Sequence, residues 1–174
     1  MTLEEHIKQL KQQSEQLQRF IDRDLPRLVG VEAVNFFTES FQNEGFTDET
    51  LEPWKEVKRR LDSRNFKTIT RGKNKGVVRA INAAGSRKIL TGATGDLGRS
   101  IEYKAEPGQV TIISDTKGAG SDKDYAAAHN EGTTTAGRNR NVTIPKRQFI
   151  GKSATLDRQV MEIMKEGADK IIDN

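Results

Sequence analysis

No cysteine occurs in the 174 residues, which excludes a disulfide scaffold, a thiol nucleophile and any zinc site built on cysteine. Histidine is nearly as scarce: His6 and His129 are the only two, so a centre of three histidines is excluded as well. No run of about 18 apolar residues is present, so no segment reads as a membrane-spanning helix. The opening Met-Thr-Leu-Glu-Glu-His is polar and acidic, unlike a secretory leader. The expectation is a soluble intracellular protein with no cofactor, no metal and no small-molecule substrate.

A chain of this length can bury roughly 70% of its unfolded surface without a staple. Hydrophobic residues nevertheless reach only 33%, against 31% charged. That surface-heavy balance suits a protein that is elongated, partly disordered, or completed by packing against copies of itself.

The charge is unevenly placed. Residues 1–54 hold 5 Lys/Arg and 11 Asp/Glu, residues 55–88 hold 12 and 2, and residues 89–174 hold 12 and 12, giving +4 in all. An acidic start and a basic middle are complementary surfaces, within one chain or between neighbours. The basic middle also reads as a solvated loop, or as a surface for nucleic acid. Its candidate contacts are Arg59, Arg60, Arg64, Lys67, Arg71, Lys73 and Lys75. Reversing Arg59, Arg60, Arg64 and Lys67 to Glu is expected to weaken assembly if that segment faces an acidic neighbour or DNA.

Periodicity outlines an α+β domain: a small antiparallel sheet with a β-hairpin, and two N-terminal helices and a C-terminal helix packed on it. Thr2 and Glu5 have the spacing of a capping box, and Leu3, Ile7, Leu10, Leu17 and Ile21 form a narrow stripe for one partner helix. Pro26 predicts a break or kink at Leu25, dividing a helical arm (1–24) from a domain (25–174). Asp24 and Pro26 are placed to open a second helix to about Gln42, lined by Leu28, Val31, Val34, Phe37 and Phe41 and widened by Val29, Ala33 and Phe36. Residues 43–53 read as a loop, with Trp54 anchoring it to the core. Residues 63–86 read as a basic, mobile loop, with a short strand or helical turn at 77–81. Alternation at 101–105 and 110–114 around Pro107-Gly108 predicts a hairpin. A Gly/Ser/Asp loop is expected at 117–124, a helical turn at 125–129 ended by Gly132, an exposed polar stretch at 133–141 and an edge strand at 142–150. A last helix opens near Ser153, with Leu156, Val160, Ile163, Met164 and Ile171 on one face.

Chemistry-bearing motifs are few. Thr91-Gly92-Ala93-Thr94-Gly95-Asp96-Leu97-Gly98 looks like a dinucleotide turn, but a hairpin follows where that fold needs a crossover helix. A glycine-rich turn explains the residues. His129 and Glu131, with Asp122 and Asp124 nearby, offer one usable histidine on a loop, a poor metal set. No triad, dyad or P-loop is visible by spacing, so no enzyme is expected.

The order of landmarks is more telling: Trp54-Lys55, Ile89-Leu90, Gly95-x-Leu97-x-x-Ser100, Tyr125-Ala126-x-x-His129-x-x-Gly132 and Pro145-x-Arg147-x-Phe149-x-Gly151, then a terminal helix. From about Leu25 to Ile172 this resembles the phage virion morphogenesis family, the tail-completion proteins of Mu-like and related phages. The resemblance implies a structural, phage- or prophage-encoded protein of the virion neck or tail, assembled in the bacterial cytoplasm. It would finish the tail or join it to the head. Its partners would be copies of itself in a ring, a hexamer first among the sizes considered, together with other tail or head-connector proteins and DNA passing through the neck. The alternative is a nucleic-acid-binding module using residues 55–88. Carried over by position, Gly95, Leu97 and Ser100 would form the turn into the hairpin. Tyr125, Ala126, His129 and Gly132 would form a helical turn, and Pro145, Arg147, Phe149 and Gly151 a strand leading to the last helix. The longer, basic link after Trp54 and the arginine-bearing 133–141 loop depart from the family pattern.

Overall fold

The computed structural model describes residues 2–92, 94–114, 116 and 125–173. The chain opens as one long helical run. Thr2 Oγ1 accepts from the Glu5 N–H at 3.2 Å and the Glu5 carboxylate accepts from the Thr2 N–H at 2.7 Å, so both halves of the capping box start α1 (Leu3–Arg19). A π-helical turn (Phe20–Asp24) follows, and α2 (Leu25–Asn43) continues from it. The expected break at Leu25 is therefore absent. In α register the Pro26 ring would meet the Asp22 carbonyl four residues back. The π turn shifts the register just ahead of it, with the Leu25 N–H bonded to the Phe20 carbonyl. Asp24 makes no side-chain cap there.

α2 is the centre of the core, and of the face expected there Ala33, Phe36, Phe37 and Phe41 are buried and Val34 packs against them, while its first turns depart from expectation. Gly30, Ala33, Phe36, Phe37, Ser40 and Phe41 are buried, while Leu28 and Val31 stand about half exposed at 50% and 49%. The small residues mark the contact: the Tyr103 ring occupies the space a Cβ on Gly30 would need. Beyond α2 the chain reverses at Glu44, in the left-handed region at φ 53°.

The segment expected to be a loop holds a short antiparallel pair, β1 (Gly45–Thr47) with β2 (Leu51–Pro53). It closes because the Trp54 N–H donates to the Glu44 carbonyl at 2.8 Å and Phe46 stacks on Phe37. After α3 (Lys58–Leu61) and a 3-10 turn at Ser63–Asn65, a second hairpin pairs β3 (Phe66–Thr68) with β4 (Val78–Ala80). The short strand anticipated at 77–81 is present, but residues 63–86 are not one loop. Three-residue strands carry too little period-2 signal to be read, and Gly72 and Gly76, at φ 82° and 91°, turn the chain between them.

α4 (Ala83–Ser86) and α5 (Asp96–Arg99) lead to the predicted hairpin, β5 (Ile101–Glu106) with β6 (Gln109–Ser114), in register from Ile101↔Ser114 to Glu106↔Gln109. The loop expected at 117–124 lies outside the described residues. α6 (Tyr125–Glu131) ends at Gly132 as expected. The polar stretch after it is largely exposed but forms β7 (Thr133–Ala136), paired with β8 (Val142–Ile144). The edge strand expected through 150 stops before Pro145, which has no N–H for a ladder. α7 (Ala154–Ile172) opens on Ser153, whose hydroxyl accepts from the Leu156 N–H at 3.2 Å.

The class is α+β. Among the described residues the strands form four separate two-stranded pairs rather than one sheet. α7 packs mainly on α1 and α2, and its Leu156 joins the core cluster that also holds Phe46 of β1 and Ile101 of β5. The core joins Phe36, Phe37 and Phe41 of α2 to Phe46, Trp54, Ile89, Leu97, Ile101, Ala126, Phe149 and Leu156. The C-terminal half of α7 meets the helical run where Gly167 faces the Phe20 ring, and Gln13 Nε2 donates to the Ile172 carbonyl at 3.0 Å.

Candidate functional site

The landmark residues, far apart in the chain, come together around α6 and the irregular segment 145–151. Trp54 lies edge-on to Phe41, with centroids 5.5 Å apart, and Phe41 packs on Phe149 at 5.3 Å. The Trp54 indole N–H donates to the Gln148 carbonyl at 2.7 Å. Trp54 is thus the anchor expected of it. Leu97, Ala126 and Phe149 are buried in the same cluster.

Arg147 is buried although charged. Its Nε and Nη2 donate to the Lys55 carbonyl at 3.0 and 2.9 Å, and Nη2 also reaches the Glu56 carbonyl at 3.4 Å. Its backbone N–H donates to the His129 carbonyl at 2.9 Å. Arg147 therefore fastens the segment after Trp54, through its guanidinium, to the end of α6, through its backbone N–H. Burial pushes the Arg147 guanidinium down from its ordinary value, and the Arg59 charge adds to that.

Gly132 is required where it stands. Its φ is 75°, and a Cβ there would lie 2.7 Å from the Lys146 amide nitrogen, a backbone atom that cannot turn aside. Gly95, at φ 73°, precedes α5, which rather than a simple turn leads into β5. Ser100 bonds the Leu97 carbonyl and the Ser114 hydroxyl, both at 2.8 Å, fixing that entry to the hairpin. Pro145 ends β8, and Gly151 leaves room for the Gln148 side chain.

A cleft of about 270 Å³ lies beside this knot, lined by Tyr125 and His129 of α6, Arg147, Leu90 and Leu97, and by Gly92, Thr94 and Asp96. Among the described residues no hydrogen-bond partner reaches the buried His129 Nδ1, and the Tyr125 ring stands edge-on to the imidazole at 6.3 Å. Burial lowers the His129 pKa, and the Arg147 charge lowers it further. The imidazole is therefore neutral near pH 7. Asp96, on the rim, is engaged by Thr94 and Arg99. Among the described residues no three His, Cys, Asp or Glu side chains cluster to hold a metal. Asp122 and Asp124 lie outside the described residues.

The basic candidates divide into two groups. Arg60 pairs with both Glu44 oxygens at 2.9 and 2.6 Å, and Arg59 Nη2 donates to the Arg87 and Lys88 carbonyls at 2.9 and 2.7 Å. Glu44 also accepts from the Ile89 N–H at 2.6 Å, so this pair clips residues 87–89 to the end of α2. Arg64 is held by Asp62, whose carboxyl that contact pulls down to about 2. Lys67, Arg71, Lys73 and Lys75, joined by Arg79, are exposed on the β3–β4 hairpin. Reversal of Arg59 and Arg60 would thus break internal contacts, so the four-residue reversal does not isolate an outer surface.

Three ties gave no signal in the sequence. Asn130 Oδ1 accepts from the Phe149 and Ile150 N–H groups at 2.9 and 3.0 Å, and its Nδ2 donates to the Ile150 carbonyl at 3.1 Å. Asp48 accepts from the Ala154 N–H at 2.7 Å and fixes the start of α7. Glu44 is the third. The only available cue was a polar Asn130 within an otherwise alanine-rich turn.

A model of the phage virion morphogenesis family matches residues 53–167, the span that holds Trp54, the cleft and most of α7. No curated protein and no solved structure matches the chain.

Proposed function

The chain belongs to the phage virion morphogenesis family, and on that premise we propose that it completes the tail, or joins tail to head at the neck, by closing into a ring with copies of itself. Its role is one of phage morphogenesis, in a virion-associated protein. Among the described residues no helix is long and apolar enough to cross a membrane. The reading assigns no catalytic step: Trp54 and Arg147 are used in packing and in hydrogen bonds to backbone.

The observation that carries self-assembly is the apolar surface left outside the core. Leu10, Leu28, Val31, Met161 and Met164 are all at least 40% exposed, on the helical run and on α7. A ring subunit needs two different surfaces that meet by rotation, and exposed apolar side chains on these helices can supply one of them.

Native mass measured by light scattering across concentration and salt tests this. A discrete closed multimer is expected, and a strict monomer at high concentration overturns ring assembly. Replacing Leu28 and Val31 together by Glu, both outside the core, is expected to yield a folded monomer.

A further inference from the structure

Between Asp62 and Asp96 there is no acidic residue, and within that stretch the β3–β4 hairpin forms a finger. Residues 70–79 are all exposed, and the tip glycines Gly72 and Gly76 have nothing within 4 Å of where a Cβ would stand. Pairing continues past the strands, because the Ile69 N–H donates to the Val77 carbonyl at 2.9 Å and the Gly76 N–H to the Ile69 carbonyl at 2.8 Å. The finger is therefore an ordered ribbon.

Its charges work against it. Lys67 and Arg79 are register partners, directly opposite one another on a two-stranded ribbon. Like charges in that position repel and weaken the pair. Arg71, Lys73 and Lys75 add three more positive charges toward the tip. Such an arrangement is relieved by an external polyanion.

We propose that this finger grips the phosphate backbone of duplex DNA. A two-stranded ribbon fits the major groove, and Lys and Arg side chains pair with phosphates without regard to sequence. Thr68, Thr70 and Asn74 are exposed beside them as further donors. Phe66, the only aromatic residue of 55–88, lies half-buried at the finger's base, so stacking on single strands is not offered. A second copy is a weaker complement. The helical arm 1–24 carries five acidic and four basic residues, and in residues 25–54 Glu44 and Asp48 are already engaged, which leaves that segment of a second copy only Glu32, Glu39, Glu49 and Glu52 to offer, against the continuous row of phosphates on a duplex.

The test is fluorescence anisotropy of the full chain with a labelled mixed-sequence duplex of about two helical turns, from 50 to 200 mM salt. Five phosphate contacts predict a slope of log K against log salt near about −4.5, a loss of roughly 500-fold over that range. K67Q/R71Q/K73Q/K75Q/R79Q, with an unchanged circular dichroism spectrum, is expected to lose most of that slope. The tip variant K73Q/K75Q, which leaves the paired strands intact, is expected to flatten it by about 1.8. Absence of binding at 50 mM salt, or an unchanged slope in the tip variant, overturns the proposal. So does a five-residue variant that binds DNA normally but no longer self-associates, since the finger would then be a protein contact. DNA binding is measured apart from particle mass, so failure here is distinct from failure of ring assembly.

Discussion

The indole of Trp54 and the carbonyl of Gln148, 94 residues apart in sequence, are joined by a 2.7 Å hydrogen bond. Phe41 and Phe149 close around the same indole, so the bond lies at the junction of α2, the β2–α3 link and the segment entering α7. Trp54→Phe keeps a ring against Phe41 but leaves the Gln148 carbonyl without its donor. The expected cost is about 1–3 kcal/mol, that of an unsatisfied group in a partly buried place. Guanidinium unfolding followed by far-ultraviolet circular dichroism reads it, and a midpoint equal to that of the native chain would show the bond to be incidental.

Glu44 carries a second junction. Burial alone would raise its carboxyl pKa, but Arg60 and the Ile89 N–H outweigh that and hold it below the ordinary 4.5. Glu44→Gln keeps the shape and removes the charge, and is expected to cost about 1.5–3 kcal/mol at pH 7. The sign with pH follows from the depressed value. The contribution is complete above the unfolded carboxylate pKa and is lost as pH falls through the folded one. The stability gap between native chain and variant should therefore narrow below about pH 4.5. A gap that stays constant down to pH 3 would contradict the assignment.

These two junctions show what the sequence could and could not disclose. Trp54 was legible because a lone tryptophan beside an amphipathic helix has few roles other than anchor. The β5–β6 hairpin was legible because six-residue strands alternate long enough to register, and the Thr2–Glu5 box because both partners lie within one turn. Glu44, Asp48 and Asn130 were not, since each satisfies backbone groups set by tertiary folding and not by local spacing. Of the α2 residues read as core, Leu28 and Val31 stand outside it for a related reason. Counting Leu28 and Val31 as core treats size as burial, whereas Gly30 and Ala33 show where the β5–β6 hairpin comes close. The cleft was half legible: Tyr125, His129 and Arg147 stood out as landmarks, but nothing in their spacing placed Arg147 on the Lys55 carbonyl.

His129 offers a direct readout of the cleft. Burial and the Arg147 charge depress its pKa below the ordinary 6.5, so the unfolded chain takes up a proton more readily than the folded one. The native state therefore loses stability as pH falls from above 6.5 toward the folded pKa. Replacing His129 by Gln removes this dependence, so the two stability curves should converge between pH 7 and pH 5. Nuclear magnetic resonance titration of the imidazole checks the cause, with a midpoint below 6.5 expected. A midpoint at or above that value would mean that the ring is solvated and that the cleft is open around it.

Gly167 sets two principles against each other. In the interior of α7, glycine-to-alanine substitution ordinarily stabilises by up to about 1 kcal/mol through helix propensity. Here, however, the added Cβ would enter the Phe20 ring, and Phe20 is a buried residue of the π turn held by its own helical bonds. Overpacking of this kind costs about 1–3 kcal/mol, so Gly167→Ala is expected to destabilise on balance. In a Phe20→Leu background the smaller side chain makes room, and the same substitution should become neutral or stabilising. Thermal unfolding of the four chains, arranged as a double-mutant cycle, gives the coupling directly. Additive effects would mean that α7 does not rest on Phe20. Strong coupling would establish that the C-terminal half of α7 is fastened to the helical run, so that the apolar residues beside the contact, Leu28 and Val31, stand on a rigid surface, as the proposed ring contact requires.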